Sequence, residues 1–411
     1  MKQTQQHSKA YPWVVVGLLW GVGFLNYMDR QMLSTMRVPM MQDISELQQA
    51  VNFGHLMAIF LWVYGLMSPV SGLIGDRFSR KRLIVGSLCV WSSVTLLMGY
   101  ATSFNQLLVL RGIMGLSEAL YLPAALSLIA DYHKDRTRSL AIGIHMTGLY
   151  FGQSIGGFGA TLSMMYSWQT TFHWFGIIGI AYGLMLSIFL KDAPVSKTEA
   201  VSNQTQPSVT QSLKKLLTNK FFLIILIYFC IPGTPGWAIK NWLPTLYAND
   251  LALSPSVAGP LSTLSIALSS LLGVILGGYI SDRWVHRNIR GRIFTGVLGL
   301  GMISPALLLI GNGSSMFTIM LGTVLFGIGF GFFDANNMPI LCQFVSTKYR
   351  STAYGLMNMC GVFAGAGITS IIGKSLDSGH VTRDFNIMAL TVLIAMFAVG
   401  YLLRPKTIDK Q

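Results

Sequence analysis

The chain has 411 residues, of which 52% are hydrophobic and only 11% are charged. Charged residues make up about a quarter of an average soluble protein, so this composition, with a mean hydropathy of +0.55, excludes a soluble globular domain. The formal charge of +14 would suggest nucleic-acid binding in a soluble protein, but in a membrane protein basic residues mark the cytoplasmic loops. We therefore expect an all-α polytopic membrane protein with no nucleic-acid partner.

Twelve windows of about twenty apolar residues, the length that crosses the hydrocarbon core of a bilayer, follow one another along the chain. They are continuous rather than alternating, which argues against a transmembrane β-barrel. The predicted spans are residues 11–40, 51–74, 83–101, 104–130, 139–165, 170–190, 220–247, 257–281, 293–310, 316–344, 352–376 and 385–403.

The segment between spans 6 and 7 is rich in Ser, Thr, Gln and Pro, a composition typical of a flexible linker. It divides the chain into an N-terminal six-helix half (1–190), a cytoplasmic linker (191–219) and a C-terminal six-helix half (220–411). Lysine and arginine are concentrated at both ends of the chain, in the linker and in the loops that follow even-numbered spans. Since basic loops stay in the cytoplasm, both termini are predicted to be cytoplasmic.

The short termini and loops are typical of a multi-pass protein of the bacterial inner (plasma) membrane, and we expect a monomer. None of the four cysteines has the spacing of a metal ligand, so neither a metal site nor a cofactor is expected. A membrane-bound enzyme would need a concentrated cluster of acids, histidines or metal ligands at one membrane face, and the sequence has none. The lipid bilayer is the one structural partner that the composition requires.

Span 1 contains an acid and a base side by side, Asp29 and Arg30, in an otherwise apolar run. Charged side chains that face lipid are unfavourable by several kcal/mol, so both are expected to face protein or a water-filled cavity. Span 4 carries a second base and acid, Arg111 and Glu118, seven residues apart and hence on one helix face. At about 1.5 Å per residue, Asp29 and Glu118 can lie at a similar depth.

The two halves repeat the same motifs at corresponding places. Gly72-Leu-Ile-Gly-Asp76-Arg77 follows span 2, and Gly278-Tyr-Ile-Ser-Asp282-Arg283 follows span 8. A second pair, beginning at Arg138 and at Arg350, opens spans 5 and 11. Two similar six-helix halves predict a transporter whose site lies between the halves and which works by alternating access.

The motif after span 2, with Arg80 and Lys81, resembles the loop 2–3 signature of the major facilitator superfamily, although Ser79 replaces the usual glycine. The run from Arg111 to Glu118 resembles the helix-4 motif of that superfamily. Together with Asn26-Tyr27-Met28-Asp29-Arg30, it is similar to the anion:cation symporters, which include sialin-like, hexuronate and D-galactonate carriers. Spinster-type lipid carriers share much of this pattern, including the Tyr-Met-Asp-Arg run, so both groups stay open.

The resemblance implies a role for each charged group. Asp29 and Glu118 would couple transport to protons, and Arg30 and Arg111 would bind the substrate anion. The alternative for all four is a static set of ion pairs between spans 1 and 4. The motif after span 2 and its copy after span 8 would form a cytoplasmic latch between the halves, made of Gly72, Asp76, Arg77, Arg80, Lys81, Asp282 and Arg283.

Polar and aromatic side chains of several spans are candidates for the substrate cavity. Gln153 stands where the superfamily's antiporter motif has proline, which argues against a drug/proton antiporter. Lys240 would either guide an anion or extend to the membrane interface, and Trp242 is expected in the interfacial aromatic belt. Asp334 on span 10 is expected opposite the N-terminal site. The substrate-binding candidates are Tyr27, Arg30, Arg111, Tyr150, Gln153, Trp237, Lys240, Asn241, Asn336, Asn337 and Asn358.

The expected function is proton-coupled symport of a small organic anion, a sugar acid of the hexuronate, aldonate or sialic acid class. Its partners are then the substrate anion and protons. Sodium coupling of the same transport, spinster-like carriage of an amphipathic lipid, and a non-transporting sensor of the same fold are the alternatives.

Overall fold

The computed structural model describes residues 10–133, 137–193, 209–346 and 349–407. Every element in these ranges is a helix. The first part of the chain forms α1 (Tyr11–Thr35), α2 (Arg37–Met40), the 3-10 turn Ser45–Gln48, α3 (Ala50–Arg77), α4 (Arg80–Met98), α5 (Phe104–Glu118), α6 (Tyr121–Tyr132), α7 (Arg138–Gly156), α8 (Gly159–Met165) and α9 (Trp168–Phe189). The second part forms α10 (Val209–Leu217), α11 (Lys220–Asp250), α12 (Pro255–Arg287), α13 (Gly291–Asn312), α14 (Met316–Phe344), α15 (Arg350–Ser378) and α16 (Val381–Leu402).

Eleven helical segments of the described chain are long and apolar enough to cross a membrane, with α5 and α6 counted as one segment. The remaining predicted span, 139–165, is formed by α7 and α8, which are separated at Gly157 and Phe158. Large apolar side chains such as Ile188 and Phe317 are exposed, as a surface in contact with lipid tails requires. The prediction of an all-α polytopic bundle is therefore confirmed.

The predicted linker lies partly outside the described residues, which omit 194–208. Its last part forms α10, a helix that the composition of the segment does not predict. Ser212 and Leu216 are buried against the bundle, whereas Lys214 and Lys215 are exposed. This two-sided pattern is that of an amphipathic helix, and α10 packs on α11 and α15.

Helix α1 is held by close contact with α7. A Cβ atom on Gly148 would lie 2.7 Å from the carbonyl oxygen of Trp20, and one on Gly156 would lie 2.7 Å from that of Met28. Only glycine allows the two backbones to approach this closely. The contact fixes the part of α1 that carries Asp29.

The two halves meet at the end of the bundle where α3 begins. We call it the opposite end, because it lies across the bundle from the α3–α4 turn (residues 78–79), which carries the predicted latch. At the opposite end, both carboxylate oxygens of Asp377 on α15 accept hydrogen bonds of 2.8 Å from the backbone N–H groups of Ala50 and Val51. These two groups have no partner within α3, so a side chain of one half caps a helix of the other.

Further hydrogen bonds join the halves at this end. Thr161 donates to the carbonyl of Ser256 at 2.8 Å, and Thr263 donates to that of Ser154 at 3.1 Å. At a deeper level, the Gln31 amide donates to the carbonyl of Lys240 at 2.9 Å. The bundle is therefore closed at the opposite end.

We expect Asp377→Ala to favour opening at the opposite end. The substitution removes the cap and a negative charge beside the N-terminus of α3, which together stabilise the closed form by about 1–2 kcal/mol. Spin labels at Glu46 and Ser254, in a background without the native cysteines, would report the change as a larger long-distance population. Asp250→Ala, at an exposed aspartate at the end of α11, is the matched control, and identical distance distributions for both variants would contradict the prediction.

Candidate functional site

Two acids and two bases from α1 and α5 meet in the interior of the N-terminal half. Arg30 Nε donates to Glu118 Oε2 at 2.5 Å, in an ion pair whose side chains are 13% and 0% exposed. Asp29 and Arg111 lie within electrostatic range of this pair. The structure thus brings together the four residues that the sequence singles out, while their roles stay predictions.

The guanidinium group of Arg30 is enclosed by three aromatic rings. Its Cζ atom lies 5.1 Å from the ring centre of Tyr27, 4.8 Å from that of Phe60 and 4.7 Å from that of Tyr64. Aromatic faces attract cations, so the cage and the ion pair together fix the position of Arg30. Phe60 also lies 4.5 Å from the guanidinium of Arg111.

The two acids have different surroundings. Glu118 is in direct contact with a cation, whereas Asp29 accepts a 3.3 Å hydrogen bond from the Thr95 hydroxyl on α4. No ion pair reaches Asp29 in the part of the chain that the structure describes. Arg111, the other nearby base, is 4% exposed and donates to the Met114 sulfur at 3.1 Å. Arg111 therefore lies behind Phe60 rather than at a cavity surface.

The C-terminal half contributes a second charged pair. The carboxylate of Asp334 on α14 is exposed to solvent, although it lies at the level of Lys240 on α11 and faces Tyr150 of the other half. Asn337 donates to Asp334 Oδ1 at 3.3 Å. A solvent-exposed carboxylate between the two halves indicates a water-accessible cavity there.

Lys240 and its neighbours line the same cavity. Its Nζ atom lies 5.7 Å from the ring centre of Trp237 and 5.4 Å from that of Phe330. Lys240, Trp237, Tyr27 and Tyr150 are all partly exposed. Lys240 thus points into the protein and not toward the membrane interface.

Other predicted cavity residues take part in helix packing. Gln153 is 4% exposed. The buried Asn336 accepts a hydrogen bond from the Ser281 hydroxyl at 2.5 Å and donates one to the carbonyl of Phe332 at 2.8 Å. Asn241 donates to Thr369 at 2.8 Å. Gln153 and Asn336 are therefore buried between helices, whereas Asn241 is partly exposed.

Asn358 forms a hydrogen bond between the two halves. Asn358 on α15 donates to Ser68 on α3 at 2.9 Å, which links the halves.

The expectation for Trp242 is wrong: it is fully buried and donates to the carbonyl of Thr369 at 3.0 Å. Its indole completes the packing of α11 on α15, so it cannot belong to an interfacial belt.

The described latch residues make contacts within their own halves. Arg80 forms an ion pair with Asp131 at the end of α6, and the backbone N–H of Lys81 donates to Asp192 at 2.8 Å. Asp282 is exposed, and Arg283 stacks on Tyr279 of the same helix. The side chains of Gly72, Asp76 and Arg77 lie outside the described residues.

The geometry fits a carrier with a site between two halves, and comparison with known proteins decides the family. Residues 19–370 match the model of the Major Facilitator Superfamily. The chain belongs to this superfamily. It is a multi-pass membrane transporter and not an enzyme.

Several relatives of this superfamily member are named as anion transporters. It is 24% identical over 404 residues to the probable galactarate/D-glucarate transporter of Escherichia coli, covering 90% of this chain and 89% of the relative. It is 25% identical over 408 residues to the chloroplastic ascorbate transporter of Arabidopsis thaliana, covering 95% of this chain and 73% of the relative. Protein spinster of Drosophila melanogaster is 25% identical over 285 residues, which are 67% of this chain and 46% of spinster.

Solved structures confirm the fold. A bacterial homologue of the human lysosomal transporter Spinster, in an inward-facing and occupied conformation, superposes with a TM-score of 0.79 at 19% identity, covering 96% of this chain and 98% of that one. The inward-facing and unoccupied form gives a TM-score of 0.73.

Proposed function

We propose that this transporter carries out proton-coupled symport of a small organic anion, a sugar acid of the hexuronate, aldonate or aldarate class. It would work by alternating access in a bacterial inner membrane, with both termini in the cytoplasm and no cofactor. One observation carries the proposal: two buried carboxylates, Asp29 and Glu118, share a site with Arg30 beside a water-accessible cavity. The galactarate/D-glucarate transporter among the relatives supports the substrate class.

The surroundings of the two acids suggest a division of labour. A buried carboxylate with no cation in contact is unfavourable in its charged form. Asp29 accepts a hydrogen bond from the Thr95 hydroxyl and has no ion-pair partner among the described residues, so it is suited to bind and release a proton. Glu118 occupies one edge of the Arg30 guanidinium. A substrate carboxylate that binds Arg30 would compete with Glu118, because both use the same planar fork of N–H donors.

The cycle follows from this competition. Protonation of Asp29 and Glu118 leaves Arg30 with an unpaired charge that attracts the anion from the cavity. With both acids protonated, the two arginines carry two positive charges, and the bound carboxylate cancels one of them. The loaded site therefore has less net charge than the protonated site without substrate, and a smaller net charge lowers the cost of moving the halves past each other. Gly72, Asp76, Arg77, Arg80 and Lys81, with Asp282 and Arg283, would re-form the cytoplasmic latch when the cavity opens to the other side.

Transport by purified protein in liposomes tests the proposal. Galacturonate, D-galactonate, galactarate and sialic acid would be offered with an inward proton gradient, with an inward sodium gradient, and with neither. We expect accumulation of at least one sugar acid under the proton gradient, abolished by a protonophore. Binding without accumulation would contradict the transport step. Accumulation that requires the sodium gradient would show that sodium, and not the proton, is the coupling ion.

A spinster-like carrier of an amphipathic lipid is the second candidate, because protein spinster is among the relatives. The charged cavity counts against it, since Arg30, Lys240 and Asp334 would surround an apolar chain with polar groups. The same liposomes would settle the choice: displacement of a fluorescent lysolipid without binding of any sugar acid would favour the lipid carrier.

A further inference from the structure

The cavity has a charged pair in each half, and the proposed coupling uses only the one in the N-terminal half. In the C-terminal half, Lys240 on α11 and Asp334 on α14 are both accessible to solvent. Lys240 Nζ lies 5.4 Å from the ring centre of Phe330, one helical turn before Asp334 on α14, and the two charges interact electrostatically. No direct ion pair joins them within the described chain. Two opposite charges that are close but not in contact leave room for a ligand group between them.

The position of Lys240 relative to Arg30 determines which ligands could contact both cations. Gln31, the residue after Arg30, donates to the carbonyl of Lys240 at 2.9 Å, and the Lys240 ammonium lies within electrostatic range of Arg30. Two cations from opposite halves therefore face the same cavity. A ligand with a single carboxylate can engage one of them. A ligand with a carboxylate at each end can engage both, and it would thereby connect the two halves.

The neighbours of the pair are those of a binding site. The Lys240 ammonium is held over the faces of Trp237 and Phe330, which orient a cation without neutralising it. Asp334 faces the Tyr150 hydroxyl of the other half and accepts a hydrogen bond from Asn337. A carboxylate accepts hydrogen bonds from hydroxyl groups, so the pair is complementary to an α-hydroxycarboxylate, with the carboxylate on Lys240 and the hydroxyl on Asp334.

We propose that Lys240 and Asp334 form a second substrate subsite, in the C-terminal half, which binds the far end of a sugar acid that has a carboxylate at both ends. The inference rests on the proposed function and narrows its substrate to dicarboxylic sugar acids. Arg30 binds one carboxylate, and the subsite in the other half selects the second. Occupation of both brings the halves together around the ligand.

Two ligands that differ in one group test the subsite. Galactarate and D-galactonate share a six-carbon chain, but the second terminal carboxylate of galactarate is a hydroxymethyl group in D-galactonate. Binding to purified full-length protein would be measured by calorimetry at one pH. We expect the wild-type protein to bind galactarate more tightly than D-galactonate. Lys240→Gln should weaken the binding of galactarate by about tenfold or more and should change the affinity for D-galactonate much less. Lys240→Arg should keep the preference.

The Asp334→Asn variant separates a binding role from a structural one. Asparagine keeps an oxygen that can accept the hydrogen bond of the ligand hydroxyl, while loss of the negative charge strengthens the attraction of Lys240 for the ligand carboxylate. Asp334→Asn should therefore tighten galactarate binding, so the two variants move the affinity for galactarate in opposite directions. If the pair only held α11 against α14, both substitutions would instead weaken the binding of galactarate. Lys374→Gln and Asp250→Asn change the same charges at exposed positions and are the controls.

The outcomes also separate this inference from the function on which it rests. If the wild-type protein binds none of the four sugar acids of the transport assay, the proposed function and the subsite are both wrong. If it binds them in a manner that depends on Arg30, but Lys240→Gln weakens both ligands equally or Asp334→Asn weakens galactarate, only the subsite is wrong.

Discussion

Asp29→Asn is expected to lower the accumulation of the substrate under a proton gradient by about tenfold while leaving exchange of substrate across the membrane intact. Asparagine has the shape of aspartate and keeps an oxygen that can accept the Thr95 hydrogen bond, but it cannot carry a proton. One pH unit corresponds to about 1.4 kcal/mol per proton, so coupling to one proton supports roughly tenfold accumulation. Glu118 can still carry a proton, so the accumulation ratio of the variant under a gradient of one pH unit should fall to about one tenth of the wild-type ratio.

Two assays on the same liposomes check this expectation. The first measures gradient-driven uptake, and the second measures exchange of labelled for unlabelled substrate without a gradient. Asp250→Asn, at an exposed position outside the cavity, controls for the substitution itself. An Asp29→Asn variant that accumulates substrate as well as the wild type would show that Asp29 is a static partner of α4, and loss of both activities would point to a folding defect.

Most of the fold can be predicted from the sequence because a bilayer imposes one requirement on every span. Each helix needs about twenty apolar residues, and nearly all of the predicted spans coincide with helical segments. The exceptions have local causes. Span 5 is divided at Gly157 and Phe158, where the chain passes close to α12. Helix α10 is short and amphipathic, so a composition average over the linker conceals it.

The charged part of the site is predictable for the same reason. An ionisable residue such as Asp29 stands out in an apolar run, and its need for a polar environment places it inside the bundle. Phe60 and Tyr64 leave no such signal, because an aromatic residue in an apolar helix is equally suited to lipid, core or a cation. Trp242 shows the same ambiguity, since tryptophan occurs both at the membrane interface and in packed interiors.

Contacts between the halves are the least predictable feature. Asp377 ends a helix in one half and caps α3 in the other, and the sequence separation hides this relation. The exposed position of Asp334 also depends on how far apart the halves stand. Sequence patterns report which side chains are unusual in a membrane, and the tertiary arrangement decides which of them meet.

Arg30→Met is expected to destabilise the protein strongly, and Glu118→Gln in the same chain is expected to reverse most of this loss. The single variant leaves Glu118 buried, at 0% exposure, without its cation. Removal of one partner from a buried ion pair costs about 3–5 kcal/mol, whereas replacement of both partners is often close to neutral. The free energy of unfolding, measured by denaturant titration in mixed micelles, should therefore be much lower for the single variant than for the double variant.

Substrate binding should not recover with stability, and this difference separates the two roles of Arg30. If Arg30 binds the anion, the stable double variant still lacks the planar group that receives a carboxylate, and its affinity for sugar acids stays far below that of the wild-type protein. Glu118→Gln alone keeps Arg30 and removes its competitor, so it should bind the anion at least as tightly as the wild type. A double variant that recovered both stability and affinity would reduce the Arg30–Glu118 pair to a structural link between α1 and α5.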